Sequence, residues 1–471
     1  MSGLFSTLGS SVKALTAHSR AIETAGKNLA NVNNTAYARQ RVLYGDRGTV
    51  MTAQGAESLG LEALAIQQLR DTLLDNQVMR ELALKAGFES EQRALDRAQA
   101  GLGQNINRAN ATTASGSNAS TGGLAAALDD YFNAFQSLAA RPTDSGERQT
   151  LLQKASILTD RFQQTDARLA QVQSDIDVEI QSGVSDVNRL LSTIADLNSQ
   201  IGRIESGQPG TAIDLRDQRQ ARLEELSAKL PVEVRNATNG QIQVVLRDAT
   251  NTDVVLVDLA SVTGPVTFAG SGLTAGAPAT AVEFSSGAIR GALNARDGAV
   301  QTLRDNLSQL ARQIVTSVNA AYNPTSVPGG DFFNAAGLTA GTITLTPGLT
   351  AANLRAGTGA AGDNSIAAAV AALASQSFST GSGDVIDGTF SQFYSGAVSN
   401  LGQALSSVNS RVEDQANITN LIKSQRDSVS GVSLDEEMAD LVRFQRAFQA
   451  SSRVFSVVDE LLDTVVNRLG R

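Results

Sequence analysis

The chain has 471 residues, 42% of them hydrophobic, enough to bury the cores of two or more domains. Trp and Cys are absent, aromatics are only 4%, and a formal charge of −9 arises from 47 acidic residues interspersed among 38 basic ones. Without cysteine there is no disulfide, thiolate nucleophile or Cys-ligated metal, and without clustered Lys and Arg there is no footprint for nucleic acid. No apolar run reaches about 18 residues, so no membrane insertion is expected, and the N-terminal stretch lacks the basic-then-apolar pattern of a cleaved signal peptide.

The first segment reads as an amphipathic helix over Leu4 to Asn31. Counted by sevens, Leu8, Leu15, Ile22 and Leu29 form one apolar row, and Leu4, Ser11, His18, Ala25 and Val32 form a second. This is a narrow seam suited to one partner helix. It runs into "NLANVNNTAYARQRV" (Asn28 to Val42), where Asn31, Asn33 and Asn34 compete with helical hydrogen bonding and mark an exit. Tyr37, Arg39 and Arg41 lie just past that border, placed for contact with a neighbouring subunit. Glu57 to Gly101 reads as helix in two or more pieces, "ATTASGSNASTGG" (Ala111 to Gly123) as a polar linker, and Leu124 to Leu138 as a helix closed by the "RPTDSGE" turn.

Ser145 to Ser206 has no proline and an apolar seam sustained from Leu151 to Ile204, which predicts a single rod-like helix about 90 Å long at about 1.5 Å per residue. Gly183 is its weakest point. A shorter helix, Leu215 to Leu230, precedes a switch to period two from Pro231, where Asn-Gly and Asn-Thr turns spell hairpins, and Gly264 to Ser286 continues as strand or loop. Helix resumes from Ala288 to Tyr322 with Leu293, Leu303, Leu307, Leu310, Ile314 and Val318 as its stripe. Asn323 to Gly362 is rich in Gly, Thr and Pro with a strand expected at "TITLT", followed by helices over Ile366 to Leu373 and Phe390 to Arg426. The last helix, Leu434 to Leu469, carries the strongest seam: Leu441, Phe444, Phe448, Ser451, Phe455, Val458, Leu462, Val465 and Leu469. Its start, "SLDE", places Ser433 at the N-cap and Glu436 three residues on, the pattern of a capping box.

Little in the chain points to chemistry. His18 is the only histidine, sits in the seam of the first helix and has no G-x-S-x-G elbow to serve. "GTGAAG" (Gly357 to Gly362) matches a dinucleotide-loop spacing, but no strand runs into it, so it reads as a connector ending at Asp363 as helix cap. Asp435, Glu436 and Glu437 read as first-turn dipole partners rather than metal ligands, and "DLRDQRQARLEEL" (Asp214 to Leu226) reads as a solvated or rod-facing charged helix rather than a site. No catalytic, cofactor-binding or metal-binding residue is assigned, and the chain is not read as an enzyme. What remains is the pair of seams at the chain ends, Leu8, Leu15, Ile22, Leu29, Val32 and Tyr37 with Leu441, Phe444, Phe448, Phe455, Val458, Leu462, Val465 and Leu469, which must pair with each other or with neighbouring subunits.

The two ends carry a resemblance. "NLANVNNTAYARQRV" resembles the N-terminal signature of the bacterial flagellar rod, hook and hook-associated proteins, and "SGVSLDEEMADLVRFQRAFQASSRVFSVVDELLDTVV" is similar to their C-terminal signature, through Leu441, Gln445, Phe448 and Ala450. "AIDLRDQRQARLEELSAKLPVEV" and "NARDGAVQTLRDNLSQLARQIVTSVNAAYN" resemble the interior of the hook-associated members that join hook to filament. Thr35-Ala36 departs from the group's usual Pro-Gly before the tyrosine, so no fixed turn geometry is carried over.

The resemblance implies a mainly α fold with a β insertion: terminal helices paired as an inner coiled-coil domain (residues 1–55 and 429–471), a long helical-bundle rod domain (56–230, 287–322 and 386–428), a small β-rich outer domain (231–286) and a mixed segment (323–385). It implies a structural axial protein, exported by the flagellar type III route without a cleaved signal and assembled as a helical ring of copies of itself. Hook protein, a second junction protein (hook-associated protein 3) and an export chaperone on the C-terminal helix are the implied partners. The alternatives are another axial component, such as a hook, rod or filament-like protein, or an axial protein with an embedded hydrolase.

Overall fold

The computed structural model describes residues 2–46, 48–52, 55–58, 60–103, 123–248, 252–270, 272–276, 278–359 and 362–464. The fold is mainly helical with a few small antiparallel sheets. The chain divides into two compact units, one from Met1–Lys85, Ser185–Gly287 and Gln415–Arg471, the other from Ala86–Val184 and Ala288–Asp414. Helices α2 (Thr72–Leu102), α4 (Ser145–Glu205) and α9 (Phe390–Ser430) contribute residues to both.

In the first unit, α1 (Ser2–Ala30) packs along α10 (Leu434–Asp463) and also against two strands, β1 (Gln40–Asp46) and β4 (Leu61–Gln68). These strands pair antiparallel with an irregularity at Leu43/Tyr44, and β2 (Thr49–Thr52) pairs with β3 (Gly55–Ser58) between them. The expectation of helix from Glu57 fails here: the helix begins only at Thr72. Leu, Glu, Ala and Gln in "LEALAIQQ" are good helix formers, but pairing with the β-prone "QRVLYGD" of β1 overrides local preference.

The same unit holds α5 (Ile213–Lys229) and a four-stranded sheet in the order β5 (Val232–Asn236), β6 (Ile242–Arg247), β7 (Asp253–Asp258), β8 (Ser261–Val262). The Asn-Gly turn forms as read, with Asn239 at φ 53° and Gly240 at φ 69°; a Cβ on Gly240 would strike the Glu205 carboxylate, so both backbone and space require glycine there. The Asn-Thr turn falls largely outside the described residues. A second small sheet joins β9 (Thr267–Phe268), β10 (Leu273–Ala275) and β11 (Thr280–Val282).

In the second unit, α3 (Leu124–Ala140), the first part of α4, α6 (Ala288–Ala295), α7 (Gln301–Tyr322) and α8 (Ser365–Ala372) assemble with α9. The linker expected before α3 lies almost wholly outside the described residues. The long α4 is unbroken at Gly183, where a Cβ would come within 3.3 Å of Ile289, so the glycine serves close helix approach. A single π turn, Arg296–Val300, joins α6 to α7. The stripe read for this segment, Leu293, Leu303, Leu307, Leu310, Ile314 and Val318, is buried, and an aromatic cluster of Tyr131, Phe132, Phe135, Phe332, Phe333 and Phe390 fills the core. "TITLT" makes only an isolated bridge, Phe333 to Leu345, rather than a strand, because the surrounding Gly and Pro turns leave no partner strand to extend it. Asp363 sits one residue before the N-cap of α8, accepting from the backbone N–H groups of Ser365, Thr358 and Gly359. Those bonds hold the carboxyl down at about 2 and fold the described part of the "GTGAAG" loop onto the chain itself.

Candidate functional site

Asn28, near the end of α1, is buried and uses its whole amide. Its Oδ1 accepts from the Tyr37 hydroxyl (2.8 Å) and the Gln40 backbone N–H (3.0 Å), while its Nδ2 donates to the Gln40 carbonyl (2.8 Å) and to Glu437 Oε2 on α10 (3.0 Å). One side chain thereby joins α1, the exit loop, β1 and α10. An amide has only two donor hydrogens and a two-lone-pair oxygen, so the position is saturated.

The exit itself is built by asparagines, as read. Asn31 Nδ2 returns to the Lys27 carbonyl (2.9 Å), Asn34 accepts the Ala36 N–H (3.2 Å), and the Tyr37 N–H reaches the Asn34 carbonyl (3.1 Å). Tyr37, expected at a subunit contact, is buried within this chain. Burial, with Asp217, Asp214 and Glu437 nearby, pushes its hydroxyl above the usual range.

Arg39 anchors α10. Its Nη1 lies 2.6 Å from Glu436 Oε2, its Nε 2.7 Å from Glu437 Oε1 and its Nη2 3.6 Å from Asp440, while its backbone N–H donates to the Ser430 carbonyl (2.8 Å). The capping box therefore does not form: Ser433 is at the N-cap but makes no side-chain cap bond, and Glu436 turns to Arg39 instead. A full cation outcompetes a single backbone N–H for the carboxylate. Asp435, Glu436 and Glu437 are thus more than dipole partners, since two of the three clasp the exit loop.

Two further arginines, Arg426 buried and Arg70 half-buried, hold the Thr35-Ala36 step. Arg426, near the end of α9, donates to the Thr35 carbonyl (3.2 Å) and to Glu224 on α5 (2.7 Å). Arg70 donates to the Ala36 carbonyl (2.9 Å), Asp75 (3.0 Å) and Asp217 (2.6 Å). Gln68 also donates to Asp217, which burial raises to about 6 against the pull of Arg70. The missing Pro-Gly is explained: guanidinium grips on two successive carbonyls set this loop, and neither residue adopts positive φ. Of the two readings of "DLRDQRQARLEEL", a solvated or a rod-facing helix, full solvation fails, because Asp217, Arg219 and Gln220 are buried; Asp217 and Arg219 have polar partners on other elements, Arg70 and Asn198, and Gln220 donates to Glu224 one turn along α5.

On α1 the deepest row is the small-residue set Ala17, Ala21, Thr24 and Asn28, while Leu8, Leu15, Ile22, Leu29 and Val32 are half-buried beside it. On α10, Val458 and Leu462 are buried, Leu441, Phe444 and Phe455 half-buried, and Phe448 exposed; Val465 and Leu469 lie outside the described residues. His18 is half-buried, its Nδ1 has no hydrogen-bond partner among the described residues, and burial lowers its pKa. Among the described residues no His, Cys, Asp and Glu group of three is placed to hold a metal ion, and no helix is long and apolar enough to cross a membrane. The sequence pattern missed Asn28, Arg70, Asp217, Arg426 and Glu437 as a set. Only Asn28 leaves a local signal, a polar residue adjoining the apolar seam.

The geometry is that of a clasp closing the chain ends on each other, with no nucleophile and base. Comparison with known proteins finds similarity along the chain. The family model of the "Flagellar hook-associated protein FlgK helical domain" matches residues 114–333, and that of the "Flagellar basal body rod FlgEFG protein C-terminal" matches residues 423–469, covering the end of α9 and α10. Full-length relatives include "Flagellar hook-associated protein 1" of Bacillus subtilis, 26% identical over 100% of this chain and 99% of that protein. The same-named protein of Salmonella typhimurium is 24% identical over 98% and 99%. Among solved structures, "The structure of the flagellar hook junction protein FlgK from Burkholderia pseudomallei" aligns at a TM-score of 0.46 and 20% identity, covering 55% of this chain and 46% of the other.

Proposed function

We propose that the chain is a member of the flagellar hook-associated protein family and serves as a structural subunit of the junction between flagellar hook and filament, acting by assembly rather than by catalysis. The observation that carries this reading is the clasp: Asn28, Arg39 and Glu437 close α1 onto α10 and leave the other flank of α10 bare. Leu434, Met438, Val442, Val454, Val457 and Leu461 are all exposed along that helix. They form two patches, Leu434, Met438 and Val442 near the start of α10 and Val454, Val457 and Leu461 near its end, and exposed apolar patches on a helix favour burial against another chain.

In this reading the paired ends form the inner coiled-coil domain and contact neighbouring copies in a helical ring, the long helices form the next domain outward, and the β-rich segment lies farthest from the axis. Hook protein adjoins one side of the ring and hook-associated protein 3 the other. The chain leaves the cell by the flagellar type III route without a cleaved signal, its C-terminal helix held by an export chaperone until assembly. The test is deletion of the gene and electron microscopy of the cells. Hooks without filaments, with filament subunits shed into the medium and rescue by the intact gene, are expected. Normal filaments on the deletion strain would refute a junction role, and loss of the hook itself would assign the chain to a deeper axial position.

A further inference from the structure

The α5 segment contains buried charge that the clasp does not use. Beside it, bounded by β4, the first turns of α2, α5 and strands β5 and β6, opens a cavity of about 690 Å3. Its volume lies within the range of small-molecule sites, about 300–1,000 Å3. Ile66, Met79, Ile213, Leu223 and Ile242 give it an apolar lining, and Arg70, Arg216 and Arg219 line it as well.

The three arginines are not equivalent. Arg70 is paired with Asp75 and Asp217, and Arg216 with Glu205. Arg219 is only 8% exposed, yet among the described residues no carboxylate lies within the 4.0 Å ion-pair distance. Its Nη1 is spent on two neutral acceptors, Asn198 Oδ1 (2.7 Å) and the Gly240 carbonyl (2.9 Å), while its Nε and Nη2 make no hydrogen bond there. Burial, then the charges of Arg216 and Arg70, press its guanidinium down to about 10, against the attraction of the more distant Glu205. A buried cation without a counter-ion is the costly case, and the unspent edge of a guanidinium matches the two oxygens of a carboxylate.

We propose that this cavity binds an organic anion, a carboxylate seated on Arg219 beside Arg216 with its apolar body against Ile66, Met79 and Ile213. Medium-chain carboxylates have the required chemistry, and octanoate is the probe. Calorimetric titration of the purified full chain at low ionic strength should give one saturable octanoate site. Octan-1-ol, which lacks the charge, and acetate, which lacks the chain, should each bind at least about tenfold more weakly. Arg219→Gln should weaken octanoate by about tenfold or more, and so should Asn76→Trp, which fills the cavity from the exposed surface of α2 and leaves the arginines in place. Circular dichroism checks that each variant folds; if Arg219→Gln does not, Asn76→Trp decides alone. The proposal is overturned if octanoate shows no saturable binding to about 10 mM, if octanol binds as well as octanoate, or if octanoate binding survives in the folded variants.

Discussion

Truncating Asn28 to Ala would strand the Tyr37 hydroxyl, both backbone groups of Gln40 and one oxygen of Glu437 in a buried site. Each buried polar group left unpaired costs roughly 1–3 kcal/mol, so Asn28→Ala should destabilise by about 3 kcal/mol or more in urea unfolding; a loss under about 1 kcal/mol would mean that water replaces the amide. Asp217 supplies a signed pH dependence. Its folded pKa, about 6, exceeds the ordinary 3.8, so the folded state holds the proton more tightly. The resulting stability is fully present below 3.8 and is lost as pH rises to about 6. Melting midpoints of the wild type relative to Asp217→Asn should therefore rise as pH is lowered through that window, and a flat difference would place the titration elsewhere. Beyond the polar residue adjoining the seam at Asn28, the partners that define these roles were not legible locally. Asn28 and Glu437 are separated by 409 positions, and Arg70 and Asp217 by 147.

Helices with long apolar periods were legible because their signal is repeated every few residues: α4, α6, α9 and α10 begin within about two residues of where the pattern places a helix start, and α7 continues from α6 through a π turn to the expected end at Tyr322. The hairpin of β1 and β4 was not, since strand pairing depends on a partner some 20 residues away and β4 is made of helix-forming residue types. Two predictions belong to this scale. Replacing Arg426 by Met should release α9 from both the Thr35 carbonyl and Glu224, leaving that half-buried carboxylate without its cation; a loss of roughly 1–3 kcal/mol is expected in chemical denaturation. On the bare flank of α10, Val457→Asp with Leu461→Asp should shift unfolding by no more than about 0.5 kcal/mol per site while abolishing self-association in sedimentation velocity. Full-strength association of that double variant would move the interface to another face.

At the scale of the whole molecule, a formal charge of −9 makes every copy repel the next. Self-association driven by apolar helix faces should therefore strengthen between about 0.01 and 0.15 M ionic strength, as the screening length falls from about 30 to 8 Å. Light scattering that weakens over this range would point instead to salt bridges as the main contacts. The family resemblance and the mainly helical character were readable from the sequence alone, because the seams at both ends and the asparagine exit are short-range patterns set by helical periodicity and side-chain competition for the backbone. Tertiary structure alone decided how the ends are joined. Asn28, Arg39 and Glu437 form one clasp, two arginines stand in for Pro-Gly at Thr35-Ala36, and a helix read as a solvated or rod-facing surface lines a cavity with buried charge. The physical reason is common to all three: a buried polar group is determined by its partner, and the chain brings the partners together only when it folds.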